Sequence, residues 1–233
     1  MTSAIILAGG LGTRLRRAVP DLPKPMAPIN GRPFLEWQMD YWIRQGVSEF
    51  ILSVGYRHEV IQNHFGNSYC GASISYVVES TPLGTGGGLI LAMQKETAPV
   101  LVLNGDTFFD VNLHNFIKFH EANRSDWTFA LFRAGEEGRY GSVDMDDCGR
   151  IHGFDKNAQI NSLANGGVYF VKPTILQNLR FQTNNLISLE NDLLPALLSE
   201  GARLFGMECN ANLLDIGVPE DYQRAGEFLI KQC

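Results

Sequence analysis

Short apolar runs alternate with helical stripes along the first half of the chain. Ala4-Ile5-Ile6-Leu7-Ala8 is apolar and stopped by glycine, which predicts a buried strand over residues 3–8. Residues 11–33 carry Pro20, Pro23, Pro25, Pro28, Asn30-Gly31 and Pro33, and this punctuation predicts a loop without regular structure. A loop of that length inside a compact domain is usually functional. From Phe34 to Gln45 the residues Phe34, Leu35, Trp37, Tyr41 and Trp42 follow helical spacing, and Gly46 marks the stop. Phe50 to Gly55 reads as a second buried strand, residues 58–65 as a short helix, and Ile74 to Val78 as a third strand. The order strand-helix-strand-helix-strand predicts a parallel, doubly wound sheet. A glycine-rich stretch then leads into an apolar helix over Leu89–Met93, followed by a fourth strand over Pro99–Leu103. A helix over Leu113–Glu121 comes next, with Asp110 as its candidate cap.

After residue 125 the rhythm changes. Trp127–Phe132 reads as a strand, and Tyr140–Asp144 and Arg150–Phe154 as short paired strands around the turn Asp146-Asp147-Cys148-Gly149. Ser188 is the candidate cap of a helix over residues 188–198. In it, Glu190 and Asp192 are either ordinary first-turn residues or contacts for sugar hydroxyls. Arg203–Met207 is a late strand. Pro219 suits the first turn of a last helix, with Glu220 and Asp221 at its positive end.

Composition narrows the classes. With 233 residues and 45% hydrophobic content, the chain can form one large α/β domain or two small ones. A formal net charge of −6 argues against a nucleic-acid partner, and the acidic side chains suit magnesium, a hard ion that prefers oxygen ligands. Cys70, Cys148, Cys209 and Cys233 are scattered without a C-x-x-C pair, which argues against zinc. No apolar run approaches membrane-spanning length, so no membrane partner and a cytoplasmic location are expected.

The chemistry is concentrated at turns. The first strand empties into Gly9-Gly10-Leu11-Gly12-Thr13-Arg14, and Pro23-Lys24-Pro25 follows. Glycine lets the backbone approach a ligand, and backbone N–H groups in such a turn can cradle phosphate. Arg14 offers a planar fork of donors, and Lys24 a compact charge between two rigid prolines. The third glycine of a dinucleotide fingerprint is missing, as is the Lys-Ser/Thr of a Walker loop. Four glycines among Gly84-Thr85-Gly86-Gly87-Gly88 form a second candidate for close backbone approach to a base or sugar, against the plainer reading of a flexible loop. Asp106 stands at the carboxyl end of the fourth strand, where open α/β sheets bind ligands. It can hold a metal against polyphosphate or cap a turn. His58, His64, His114, His120 and His152 form no catalytic pattern.

Taken together, Ala4 to Leu15 with Pro23-Lys24-Pro25, Pro82-Leu83-Gly84-Thr85, Asn165-Gly166-Gly167-Val168-Tyr169 and Asp215-Ile216-Gly217-Val218-Pro219-Glu220-Asp221-Tyr222 resemble the signatures of the sugar-1-phosphate nucleotidyltransferases. The resemblance runs from Ile5 to Tyr222. It implies a Rossmann-like, doubly wound mixed α/β sheet of the GT-A-like kind, with a small sugar-binding β region and no C-terminal β-helix. One domain over residues 1–233 is expected, about 1–125 serving the nucleotide and about 126–233 the sugar phosphate. By resemblance, Leu7, Ala8, Gly9, Gly10, Gly12, Thr13, Arg14, Glu79, Gly84, Thr85 and Asp106 contact the nucleotide. Gly141, Lys156, Asn165, Gly167 and Glu190 face the sugar phosphate. Asp106 and Asp215 hold Mg²⁺, and Arg14 and Lys24 are catalytic. Lys156 is otherwise an ordinary exposed lysine at a strand end, and Phe154-Asp155-Lys156 departs from the family's Phe-x-Glu-Lys spacing. The implied partners are a nucleoside triphosphate and a sugar 1-phosphate, with a homo-oligomer possible. Glu79 can accept both N1–H and N2–H of guanine, which favours GTP, although uracil also offers an N–H. A nucleotide-sugar sensor and a dinucleotide oxidoreductase are the competing classes. The first would be expected to lose Arg14, Lys24 or an aspartate, and the second needs the absent third glycine.

Overall fold

The computed structural model describes residues 2–10, 19, 21–135, 140–155, 159–177, 179 and 186–232. The first half runs β1 (Thr2–Ala8), a small hairpin of β2 (Pro28–Ile29) and β3 (Arg32–Pro33), α1 (Phe34–Arg44), β4 (Val47–Val54) and α2 (His58–Phe65). It continues through β5 (Ser68–Tyr69), β6 (Ala72–Val78), α3 (Gly84–Ala92), β7 (Val100–Asn104), β8 (Thr107–Phe109) and α4 (Leu113–Ala122). The second half contributes β9 (Trp127–Arg133), β10 (Ser142–Met145), β11 (Ile151–Asp155) and β12 (Leu163–Val171). A wide π turn (Leu189–Leu193) enters α5 (Leu194–Ser199), and β13 (Leu204–Glu208), β14 (Leu213–Asp215) and α6 (Pro219–Gln232) follow.

One mixed sheet has the order β11-β10-β12-β7-β1-β4-β6-β5, with β9 bonded to β12 and β13. β7, β1, β4 and β6 are parallel, and β12 runs antiparallel to β7. The central strands are apolar because both faces are covered. Along β1, Ala4, Ile6 and Ala8 join the cluster with Leu35, Met39 and Trp42 of α1, while Ile5 packs with Leu89 and Ala92 of α3. The expected doubly wound mixed α/β sheet is therefore present.

Several local expectations change. The described part of residues 11–33 is not irregular throughout: Lys24–Met26 forms a 3₁₀ turn, and Asn30 (φ 52°) and Gly31 (φ 79°) close the β2–β3 hairpin. Two consecutive left-handed residues are what a tight hairpin needs, and Asn-Gly supplies them. Asn112, not Asp110, caps α4 by accepting the Asn115 N–H at 2.9 Å; Asp110 instead binds the side chain of Asn212 at 2.9 Å. The glycines 84–88 are not a loop before a helix but the first turns of α3 itself. β5, β8 and β14 were outside the sequence expectation, and β8 pairs with β14 in a separate two-stranded sheet.

β12 changes neighbours at an irregularity between Asn165 and Tyr169, where Gly166 and Gly167 lie. A Cβ on Gly166 would stand 2.3 Å from the Phe109 ring, which is itself 2% exposed. Overpacking a closed core costs about 1–3 kcal/mol. Gly166→Ala is expected to lower stability by about that amount in chemical denaturation; an unchanged midpoint would show that β8 can move away freely.

Candidate active site

Three segments distant in sequence meet at the carboxyl ends of β1 and β7. Lys24 lies in its 3₁₀ turn between Pro23 (φ −63°) and the buried Pro25. Its side chain is only 9% exposed; Nζ pairs with Oδ2 of Asp106 and lies 3.7 Å from Oδ1 of Asp215. The Asp106 turn is braced from two sides. The Gly105 N–H donates to the Leu7 carbonyl at 3.0 Å, and a Cβ on Gly105 would stand 2.6 Å from that same oxygen. From α1, the buried Gln38 Nε2 donates to the carbonyls of Asn104 (2.8 Å) and Thr107 (2.7 Å), clamping both ends of the turn.

Asp215 reaches Asp106 through the small sheet, in which Asp215 is registered with Thr107. The Ile216 N–H donates to the Asp106 carbonyl at 3.0 Å. The Gly217 N–H donates to Oδ1 of Asp215 at 2.7 Å, and the Asp215 N–H donates to Oδ2 of Asp221 at 3.3 Å. Asp221 is 3% exposed and takes the Arg224 Nε–H at 2.8 Å, so a buried charge keeps its counter-ion. Gln38 and Asp221 are supports that the sequence reading missed. The one available signal was a polar side chain, Gln38, on the apolar face of α1.

A cavity of about 330 Å³ opens beside this centre, lined by Leu7, Gly9, Gly10, Ser53, Glu79, Pro82, Gly84, Thr85, Gly88 and Leu186. Six of the expected nucleotide residues are in that wall. Ala8 is 2% exposed and belongs to the core behind it. Glu79 forms the floor. Its Oε2 accepts the Leu83 N–H at 3.0 Å, and a Cβ on Gly9 or Gly88 would come within 2.4 or 2.7 Å of its Oε1. Burial raises the Glu79 pKa above the usual carboxylate value, and the Leu83 N–H offsets only part of this. Gly10 faces open space.

A second cavity of about 430 Å³ is lined by Tyr140, Gly141, Ser142, Phe154, Asn165, Glu190, Asn191, Asp215 and Val218, among others. The expected residues Gly141, Asn165 and Glu190 stand in its wall. Gly167 (φ 72°) does not; it is buried against the Asn104 side chain, whose Nδ2 would lie 2.6 Å from a Cβ there. Asn165 Nδ2 donates to the Tyr169 hydroxyl at 2.7 Å, and its Oδ1 accepts the Gly167 N–H at 3.1 Å. Desolvation in the cavity wall raises the Glu190 pKa; the Asn165 hydrogen bond opposes this and the nearby Asp106 charge adds to it. Gly12, Thr13, Arg14 and Lys156 lie outside the described residues.

Among the described residues no three His, Cys, Asp or Glu side chains converge as metal ligands. Asp106 and Asp215 nevertheless share one cation, Lys24. Their hard carboxylate oxygens are of the donor type a magnesium ion prefers. Among the described residues, no helix is long and apolar enough to cross a membrane.

The family model described as Nucleotidyl transferase matches residues 3–232, and the chain belongs to that family. It is 42% identical over 230 residues to the D-glycero-α-D-manno-heptose 1-phosphate guanylyltransferase of Aneurinibacillus thermoaerophilus, covering 97% of each chain. With the enzyme of the same name from Campylobacter jejuni it shares 39% identity over 94% of this chain and 96% of that one. The crystal structure of HddC from Yersinia pseudotuberculosis, also solved in complex with GMP-PN, superposes with a TM-score of 0.85 at 33% identity over 98% of this chain and 99% of that one.

A Cβ on Gly217 would stand 2.1 Å from Nζ of Lys24. Gly217→Ala is expected to fold, since the flexible lysine tip can retreat, but to move Nζ off the two aspartates. The expected result is a kcat lower by about 10- to 100-fold with little change in melting temperature. A variant with parental kcat would show that this placement of Lys24 is dispensable.

Proposed function

We propose that this protein transfers GMP from GTP to D-glycero-α-D-manno-heptose 1-phosphate, giving GDP-heptose and pyrophosphate. The observation that carries the reading is Lys24 held between Asp106 and Asp215, with one cavity lined by Glu79 and the glycines and a second cavity reaching Asp215. The substrates named for the similar enzymes select the base and the sugar within the class. On this reading, residues up to about 125 serve the nucleotide and the rest the sugar phosphate, and the activity belongs in the cytoplasm, where the triphosphate is supplied.

A phosphate oxygen of the sugar phosphate attacks the α-phosphorus in line. The new O–P bond forms as the bond to the β-phosphate oxygen breaks, and pyrophosphate leaves with the electron pair. Both reactants are anions, so neutralising and positioning charge are the main tasks. Lys24 is buried and pinned, and it meets the reacting phosphates as a cation that needs no reorganisation. Asp106 and Asp215 would hold a divalent cation, which when bound supplies further neutralisation at the triphosphate. The attacking phosphate is already ionised near neutrality, so no side chain need act as general base. Asn165 and Glu190 present an amide and a carboxyl to the sugar hydroxyls. The Glu79 carboxylate keeps lone pairs for N1–H and N2–H of guanine. Arg14 and Lys156 complete the reading as further phosphate ligands.

Pyrophosphate release with Mg²⁺ tests it, with GTP, ATP, UTP, CTP and dTTP each paired with heptose, mannose and glucose 1-phosphates. Turnover is expected for GTP with the heptose phosphate. A preference for another pair would move the substrate, and nucleotide binding without turnover would favour a sensor. Lys24→Ala should stay folded and lose at least about 10²-fold in kcat; a near-parental rate would remove the mechanism.

Glu79 adds a pH dependence. Its raised pKa means that the proton competes with guanine at a higher pH than an ordinary carboxylate would allow. GTP affinity should fall as pH drops toward that value, and Glu79→Gln should flatten the profile while narrowing the preference for GTP over UTP. Calorimetric titration of GTP binding from neutral to acid pH, in the parent and in Glu79→Gln, checks this. A parental profile in Glu79→Gln would reject the assignment.

A further inference from the structure

Gly84 and Gly86, which open α3, make room for protein backbone. A Cβ on Gly84 (φ 77°) would stand 2.5 Å from the Ile187 carbonyl oxygen, and one on Gly86 would stand 3.0 Å from it. Residues 186–190 lie across the start of α3 at this contact distance. The Ile187 N–H donates to the Leu83 carbonyl at 2.8 Å, and the Ile187 carbonyl accepts the N–H groups of Gly86 (2.9 Å) and Gly87 (3.3 Å). The Leu189 N–H donates to Oγ1 of Thr85 at 3.0 Å.

This strap touches both cavities. Leu186, 69% exposed, stands with Gly84 and Thr85 in the wall of the first. Glu190 stands in the wall of the second. We propose that residues 186–190 are the mechanical link between the two subsites, and that Thr85 is a positioning residue that sets Glu190 through the Leu189 amide. The inference rests on the reading above of which substrate occupies which cavity.

The physical argument is one of shared backbone. A nucleoside in the first cavity covers Leu186 and packs on Gly84 and Thr85, which favours the strap position in which all four hydrogen bonds are made. That same position fixes Leu189 and hence Glu190 beside Asn165. Because the coupling is a free energy between two sites, it is reciprocal: a sugar phosphate held by Glu190 tightens the nucleotide by the same factor. Two further hydrogen bonds, both at Ser188, support its fixed geometry. Ser188 caps the π turn by accepting the Asn191 N–H at 3.1 Å, and the Asp192 carboxylate accepts the Ser188 N–H at 2.8 Å.

Thr85→Val keeps the shape and removes the acceptor; Thr85→Ser keeps the acceptor. Thr85→Val is expected to raise KM for the sugar phosphate by about 5-fold or more at saturating GTP. Thr85→Ser should restore the parental value. In a Glu190→Gln background, Thr85→Val should add little, because both changes act on one contact. A parental KM for the sugar phosphate in Thr85→Val, or fully additive effects, would overturn the proposal. Amide exchange supplies an independent arm that needs only bound nucleotide. A non-hydrolysable GTP analogue should slow exchange across residues 187–190 in the parent and not in Thr85→Val; unchanged exchange in the parent would also overturn it. A parent inactive on every substrate pair would count against the reading of function, and the exchange arm would still decide the strap.

Discussion

Two ionised carboxylates repel at close range unless a cation sits between them or a proton is taken up. Like unit charges 4 Å apart at an effective dielectric constant of 20 repel by about 4 kcal/mol. Lys24 resolves this for Asp106 and Asp215, and much of the surrounding structure serves to bring the three together. The 3₁₀ turn and its two prolines carry Lys24, the Gln38 clamp and the Leu7 carbonyl hold the Asp106 turn, and the β8–β14 pair carries Asp215 in. A site preset around a cation is also preset for phosphate chemistry, in which the cost of reorganising charge is a large part of the barrier.

The glycines are distributed by the same logic of close approach. Gly9 and Gly88 leave space for the Glu79 carboxylate, Gly105 for the Leu7 carbonyl, Gly217 for the Lys24 ammonium, and Gly84 and Gly86 for the Ile187 backbone. Of the two described glycines in the first turn, only Gly10 faces open space. A glycine-rich site of this kind is therefore dense rather than slack. Main chain and charged groups pack where side chains would otherwise separate them, and this fixes hydrogen-bond donors and acceptors without a flexible arm.

The two cavities are joined electrostatically as well as by backbone. Asn165 connects the Tyr169 hydroxyl to the wall that carries Glu190, and the charge of Asp106 is felt at Glu190. Tyr169 is fully buried, and its hydroxyl is partnered by the Asn165 and Asn104 side chains; an unpaired polar group at such a depth is costly. Networks of this kind are stiff when satisfied, which suits a site that must orient one anion against another.

The sequence by itself determined the long periodic elements. β1, β4, β6 and β7 and helices α1, α2, α4 and α6 were legible because hydrophobic periodicity is a local record of which face is buried. The chemistry-bearing turns with Lys24, Asp106 and Asp215 were legible through the resemblance of their motifs. Only the tertiary structure decided what each motif touches. β5, β8, β14 and the β2–β3 hairpin are two or three residues per strand, too short to carry a period, yet β8 and β14 deliver Asp215 to Asp106. Composition argued against helix at Gly84–Gly88, since glycine carries a high entropic cost there. The strap over residues 186–190 outweighs that cost through contacts roughly a hundred residues away, as with Leu189 and Thr85. Gln38 and Asp221 show the same limit: a side chain's partner is a property of the fold, and nothing next to it in the chain records which carbonyl or carboxylate it will meet.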